Sequence, residues 1–122
     1  MYYFCSKEDF KNGTILQPRV PINRMNNEEN QIKRICVSRC IDGCLIAIGG
    51  LNVGGIVNIY SCTFEGETYK PNINKVVDCP FTGEEWILTD TTLTKFIQLK
   101  ITKVIERTIG KMSMDTYCYN LI

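Results

Sequence analysis

Thr94-Lys95-Phe96-Ile97-Gln98-Leu99-Lys100-Ile101-Thr102-Lys103-Val104 is the stretch on which the fold turns. Phe96, Gln98, Lys100 and Thr102 alternate with Ile97, Leu99 and Ile101. Side chains on a strand point to opposite faces with a period of two, so this segment has one apolar face and one mostly polar face. That is the signature of a half-buried antiparallel strand. Downstream, Glu106 to Met114 is too short and too interrupted by Gly110 to read as a helix, and Tyr117 to Ile122 reads as a last strand pairing back.

Working upstream, Glu84-Glu85-Trp86-Ile87-Leu88-Thr89 forms a strand entered through a turn at Pro80-Phe81-Thr82-Gly83. Ile56 to Phe64 reads as a strand long enough to sit inside a sheet. Pro71 and Asn72 break the chain between these two. Asp42 and the apolar run Cys44 to Ile48 indicate a buried helix stopped by Gly49-Gly50, fed by a short strand over Arg34 to Ser38. Met1 to Cys5 is strand-like, and Ser6-Lys7-Glu8-Asp9 looks like a helix start with an acidic first turn, ended by Asn12-Gly13. Pro18 and Pro21 keep the segment after Leu16 extended. Residues 25 to 33 are polar and unpatterned, a surface loop and a candidate lid. The sum is one small α+β domain over residues 1–122, a mostly antiparallel sheet with one or two short helices.

A chain of 122 residues with 44% hydrophobic content builds one core. Its 14 basic and 13 acidic residues are spread without long runs, which disfavours nucleic acid as a main partner. No apolar stretch has the length of a membrane span, and Met1 to Lys7 lacks the pattern of a signal peptide, so the expectation is a cytoplasmic protein. The seven cysteines fit reduced thiols better than disulfides. Cys36, Cys40 and Cys44 recur every four residues, but Cys36 lies in a strand pattern and the chain has no histidine, so no metal site is expected. The same lack of histidine disfavours a cysteine nucleophile, which needs an adjacent base.

The candidate site is an anion-binding cleft. Arg19 and Arg24 sit on the stiff Pro18–Pro21 loop, and Arg34 and Arg39 flank a strand-to-helix junction that carries Ser38. Guanidinium forks bind phosphate or carboxylate oxygens bidentately, and a helix N-terminus adds N–H donors. The competing reading pins the arginines to loop carbonyls and carboxylates. Tyr3, Phe4 and Trp86 are candidates to stack on a base, and Ser6 closes the ligand-binding set; a tryptophan in an apolar strand is, however, more often core. Of Glu84 and Glu85 only one can enter a cleft, because neighbours on a strand face opposite ways. Gly49-Gly50 and Gly54-Gly55 lack phosphate-loop spacing and read as turns.

Tyr2-Tyr3-Phe4-Cys5-Ser6, Val37-Ser38 entering a helix, and Gly83 to Leu88 followed by Leu93 to Ile101 resemble, in that order, the ADP-ribosyltransferase-like fold in miniature. With Pro18-Arg19-Val20-Pro21 and Arg34 to Ser38, the pattern also looks like small proteins encoded by bacteriophages and prophages. The resemblance implies a nicotinamide-dinucleotide cleft with Ser38 at a helix start and Glu84 or Glu85 as the catalytic glutamate. Phe4 or Cys5 stands where that family places an orienting histidine, and neither can hydrogen-bond as an imidazole does. The expectation is therefore a phage-type counter-defence protein in a bacterial host. It would bind an ADP-ribose-like nucleotide signal or a host defence protein without catalysis and without a cofactor. The alternatives are an active mono-ADP-ribosyltransferase using NAD, and a protein-binding inhibitor module, as a homo-oligomer joined by edge strands.

Overall fold

The computed structural model describes residues 1–21, 30–75 and 79–122. The helix and strand order is β1 (Tyr3–Ser6), β2 (Ile15–Leu16), β3 (Ile35–Val37), α1 (Ile41–Ile48), β4 (Ile56–Phe64), α2 (Cys79–Thr82), β5 (Glu85–Ile87), β6 (Thr91–Ile109) and β7 (Met112–Leu121). All pairings are antiparallel. β1, β4, β6 and β2 follow one another across the main sheet, β7 pairs with β6, and β3 pairs with β5 in a separate ribbon. The α+β class and the mostly antiparallel sheet agree with the sequence pattern.

The strand read over Thr94 to Val104 is longer in the structure because it has two partners in succession. β4 pairs with it from Thr91 to Lys100, and β7 pairs with it from Leu99 to Ile109. Gly110 and Lys111 form the two-residue connection, and Gly110 takes φ 62°, which the right-handed strand twist favours in tight hairpins. The glycine that interrupts Glu106 to Met114 is thus a hairpin turn. Beyond Lys100 the β6–β7 hairpin leaves β4 behind, and its far part, from Glu106 to Ser113, is largely exposed.

Two apolar clusters flank β1. Tyr3 and Cys5 pack against the cluster of Leu45, Leu51, Val57, Ile59, Leu99, Ile101 and Tyr117 beneath α1. Tyr2 and Phe4, one step out of phase, pack with Ile35, Val37 and Ile87 of the β3–β5 ribbon. β3 joins the β1 edge through reciprocal backbone bonds between Tyr3 and Ser38, at 2.8 and 3.1 Å. α1 ends as its glycines dictate: Gly49, at φ 60°, donates its N–H to Leu45 O.

Two local expectations are corrected. Ser6 to Asp9 starts no helix: the Ser6 hydroxyl accepts the Glu8 N–H, while the Glu8 carbonyl accepts from Asn58 Nδ2 and Tyr60 Oη and the Phe10 N–H goes to Tyr60 Oη. Side chains of β4 thus satisfy the backbone groups that a helical turn would have used. Pro80 to Thr82 is not a plain turn but most of the one-turn helix α2, ended by Gly83 at φ 63°. Arg24 and most of the polar loop read over residues 25 to 33 lie outside the described residues.

Candidate functional site

A cavity of about 420 Å³ opens where β1, β3, α1 and the α2–β5 turn meet. Its size falls in the range of pockets that hold small molecules. Phe4, Pro21, Ala47 and Ile48 line it with apolar surface, and Arg19, Glu8 and Glu84 bring charge of both signs. Ser38, Cys36 and Cys44 also reach its wall.

The wall is held by a close approach between α1 and the α2–β5 turn. A Cβ on Gly43 would sit 2.0 Å from the Thr82 carbonyl oxygen and 2.8 Å from Ser38 Oγ, so only glycine fits. Ser38, 2% exposed, fastens the same junction: its hydroxyl donates to Thr82 O at 2.8 Å and accepts from the Cys40 N–H at 3.3 Å. Cys40 is the N-cap of α1, its sulfur accepting the Gly43 N–H at 3.3 Å. Ser38 and Cys40 therefore organise the helix start from within the chain, which explains their position there without a ligand.

The four arginines separate. Arg19 lines the cavity, its backbone paired in both directions with Arg34. The Arg34 side chain turns away: it is 1% exposed, its guanidinium carbon 4.1 Å from the Trp86 ring centroid, and Nη1 donates to Ile32 O at 3.0 Å. Arg39 lies outside the cavity, with Nε 3.2 Å from Glu85 Oε2, Nη2 2.6 Å from Tyr2 Oη and its guanidinium over the Tyr2 ring. A cleft built from several arginines is thus not what the described residues form. Arg34 and Arg39 do the pinning that the competing reading anticipated, and Arg24 lies outside the described residues.

The adjacent carboxylates also part. Glu84 lines the cavity while its Oε2 accepts the Trp86 indole N–H at 2.6 Å. The buried Glu85 points into a partly buried polar cluster, where Oε1 accepts from Thr68 Oγ1 at 2.5 Å and Tyr2 Oη at 3.0 Å and Oε2 accepts from Arg39. Burial pushes the Glu85 carboxyl up, but the hydrogen bonds from Thr68 and Tyr2 and the charges of Arg39 and Lys70 outweigh it, holding the group below the usual carboxylate range. Three donors hold the Glu85 carboxylate and it does not line the cavity, so Glu84 is the one of the pair at the cavity wall.

Three of the stacking and binding candidates need correction. Trp86 is fully buried, stacked on Tyr69 at a centroid distance of 5.4 Å with Arg34 against its ring, so no ligand reaches it. Tyr3 packs on Phe96 and the α1 cluster, and Ser6 holds the turn at Glu8; neither lines the cavity. Phe4 does. The cavity residues that sequence reasoning passed over are mainly Glu8, Pro21, Thr82 and the α1 face of Gly43, Cys44, Ala47 and Ile48. Pro21 was visible as part of the stiff loop, but nothing local marks the others.

Cys44 and Cys62 are not poised as nucleophiles. Cys44 donates to Tyr3 O at 3.2 Å and Cys5 donates to Cys44 O at 3.3 Å; the hydrogen bond with Cys5, then burial, drives the Cys44 thiol far above its ordinary value. Burial pushes Cys62 up to about 12. Cys36, Cys40 and Cys44 fall on β3, the N-cap and α1 in turn, so their four-residue spacing does not align them on one helix. Among the described residues no group of three or more His, Cys, Asp or Glu side chains is placed to hold a metal.

Compared with protein-family models, with curated proteins and with solved structures, the chain finds no match. Among the described residues no helix is long and apolar enough to cross a membrane.

Proposed function

We propose that the chain is a binding domain whose cavity takes a nucleotide of the ADP-ribose type and leaves it chemically intact. One observation carries the reading: Phe4, Arg19, Glu8 and Glu84, drawn from distant parts of the chain, line one cavity. An aromatic face offers stacking to a base, the guanidinium offers a fork to phosphate, and carboxylates accept from ribose hydroxyls or an exocyclic amine. Three features of the chain support binding without turnover. Glu85 is held by Thr68, Tyr2 and Arg39 away from the cavity, the Ser38 hydroxyl is spent on Thr82 and Cys40, and the chain has no histidine. The ADP-ribosyltransferase-like resemblance belongs to this proposal. In a phage-infected bacterial cell such a domain would act against host defence by withdrawing a nucleotide signal.

Calorimetry of the protein against NAD, ADP-ribose and cyclic ADP-ribose, with mass spectrometry of the recovered ligand, tests the reading. The expected outcome is binding with intact ligand, weakened by about 1.5–3 kcal/mol in Arg19→Ala, the range for a hydrogen bond to a charged group. No heat with any of them, or unchanged affinity in Arg19→Ala, removes the assignment. A second reading, transfer of ADP-ribose from NAD to a host target, is favoured by Glu84, the one of the two adjacent carboxylates that lines the cavity. It predicts NAD consumption that disappears in Glu84→Gln.

A further inference from the structure

The far edge of β7 carries a pattern that only a second strand can use. β7 runs for ten residues, Met112–Leu121, and among the described residues nothing pairs with the edge opposite β6. Ile122 donates its N–H to Gln98 O, so the even-numbered residues along this strand direct their backbone groups to β6. The odd-numbered residues Ser113, Asp115, Tyr117, Tyr119 and Leu121 therefore direct theirs outward. The devices that usually protect an edge are missing, since the strand contains no lysine, arginine or proline.

We infer that β7 is a self-pairing edge, and that two copies of this chain join antiparallel across a two-fold axis at Tyr117. That axis sets Ser113 against Leu121 of the second copy, Asp115 against Tyr119 and Tyr117 against itself. Every outward N–H and C=O between Ser113 and Leu121 then meets a complement. No like charges meet, because Asp115, the single charged residue of β7, faces Tyr119 rather than its own copy. The exposed apolar residues fit the same axis: Ile122, 67% exposed, comes against Met112 of the second copy, beside the 48% exposed Ile109 and on the same face. The two main sheets become one continuous sheet, and the interface is isologous, as closed dimers require.

The register makes the experiment specific. Thr116 lies across from Cys118 of the second copy in a pair without mutual backbone bonds, with Cα atoms about 4.5 Å apart. That is within disulfide reach. The two Cys118 residues are diagonal neighbours about 7–8 Å apart, beyond that reach. Exposed Cys40 is first changed to Ser, which preserves an N-cap acceptor. Mild oxidation should then give a covalent dimer with Thr116→Cys and none with Cys118 alone. Light scattering should report twice the 14.0 kDa chain mass for the unmodified protein at micromolar concentration. It should report the single mass for Asp115→Pro, whose lost N–H points outward and leaves the β6 ladder whole. An unmodified protein that is monomeric, a dimer that survives Asp115→Pro, or cross-linking through Cys118 alone overturns the inference. If Asp115→Pro fails to fold, the Thr116→Cys cross-link decides by itself. A purified chain that stays monomeric but accepts a strand from another protein likewise overturns it.

Discussion

The corner around the cavity and the β6–β7 hairpin are held together in different ways. At the corner, side chains do the joining: Ser38 to the Thr82 carbonyl, Glu85 to Tyr2, Thr68 and Arg39, Trp86 between Tyr69 and Arg34. In the hairpin, the backbone ladder from Leu99 to Ile109 does most of it, and the side chains beyond Ile105 on β6 are exposed. A structure joined by side chains depends on the identity of each one, because an abandoned buried partner carries its full desolvation cost. A structure joined by backbone depends on strand geometry and tolerates substitution.

The contrast is sharpest at Trp86. Trp86→Ala should cost about 3–5 kcal/mol, since it empties a fully buried site and leaves Arg34 and Glu84 without the ring and indole N–H they contact. Urea unfolding measures this directly, and a loss as small as that of a surface change would contradict the description of the corner. Gly43→Ala should cost about 1–3 kcal/mol by overpacking against Thr82, and it should weaken any cavity ligand as well.

Glu85 gives the corner a pH signature of its own. Its folded carboxyl titrates below the ordinary carboxylate value, so the unfolded chain takes up the proton first as pH falls. The stabilisation is complete above the ordinary value and is lost as pH drops through the lower, folded one. Melting temperatures of the unmodified protein and Glu85→Gln should therefore differ at neutral pH and converge on acidification; a constant gap would sink the account. At the small end of the range, Thr108→Ala on the exposed ladder should change stability by no more than about 0.5 kcal/mol. A larger loss there would erase the distinction between the two regions.

The elements legible in the sequence are those whose signals are local. β4 runs from Ile56 to Phe64 as its apolar and β-branched residues indicate, and α1 stops at Gly49 because a positive φ is accessible there. β6 was legible only over its alternating centre. Its extensions, Thr91 to Leu93 and Ile105 to Ile109, owe their strand form to pairing with β2, β4 and β7, which no local pattern reports. Ser6 to Asp9 has a helix-start composition, but Asn58 and Tyr60 claim its backbone groups from across the sheet.

The site divides along the same line. A strand read from Glu84 onward would turn Glu84 and Glu85 to different surroundings, and they do differ although β5 begins only at Glu85; the stiff proline segment likewise marked Arg19 as held in place. Which glutamate meets the cavity, which arginines are spent on Trp86 and Tyr2, and that Glu8 and the Ala47–Ile48 face join Phe4 there were decided by packing between elements far apart in the chain. The physical reason is range. Backbone periodicity and glycine or proline stereochemistry act within a few residues and can be read in order, whereas a buried charge settles on whichever partner the assembled fold places beside it.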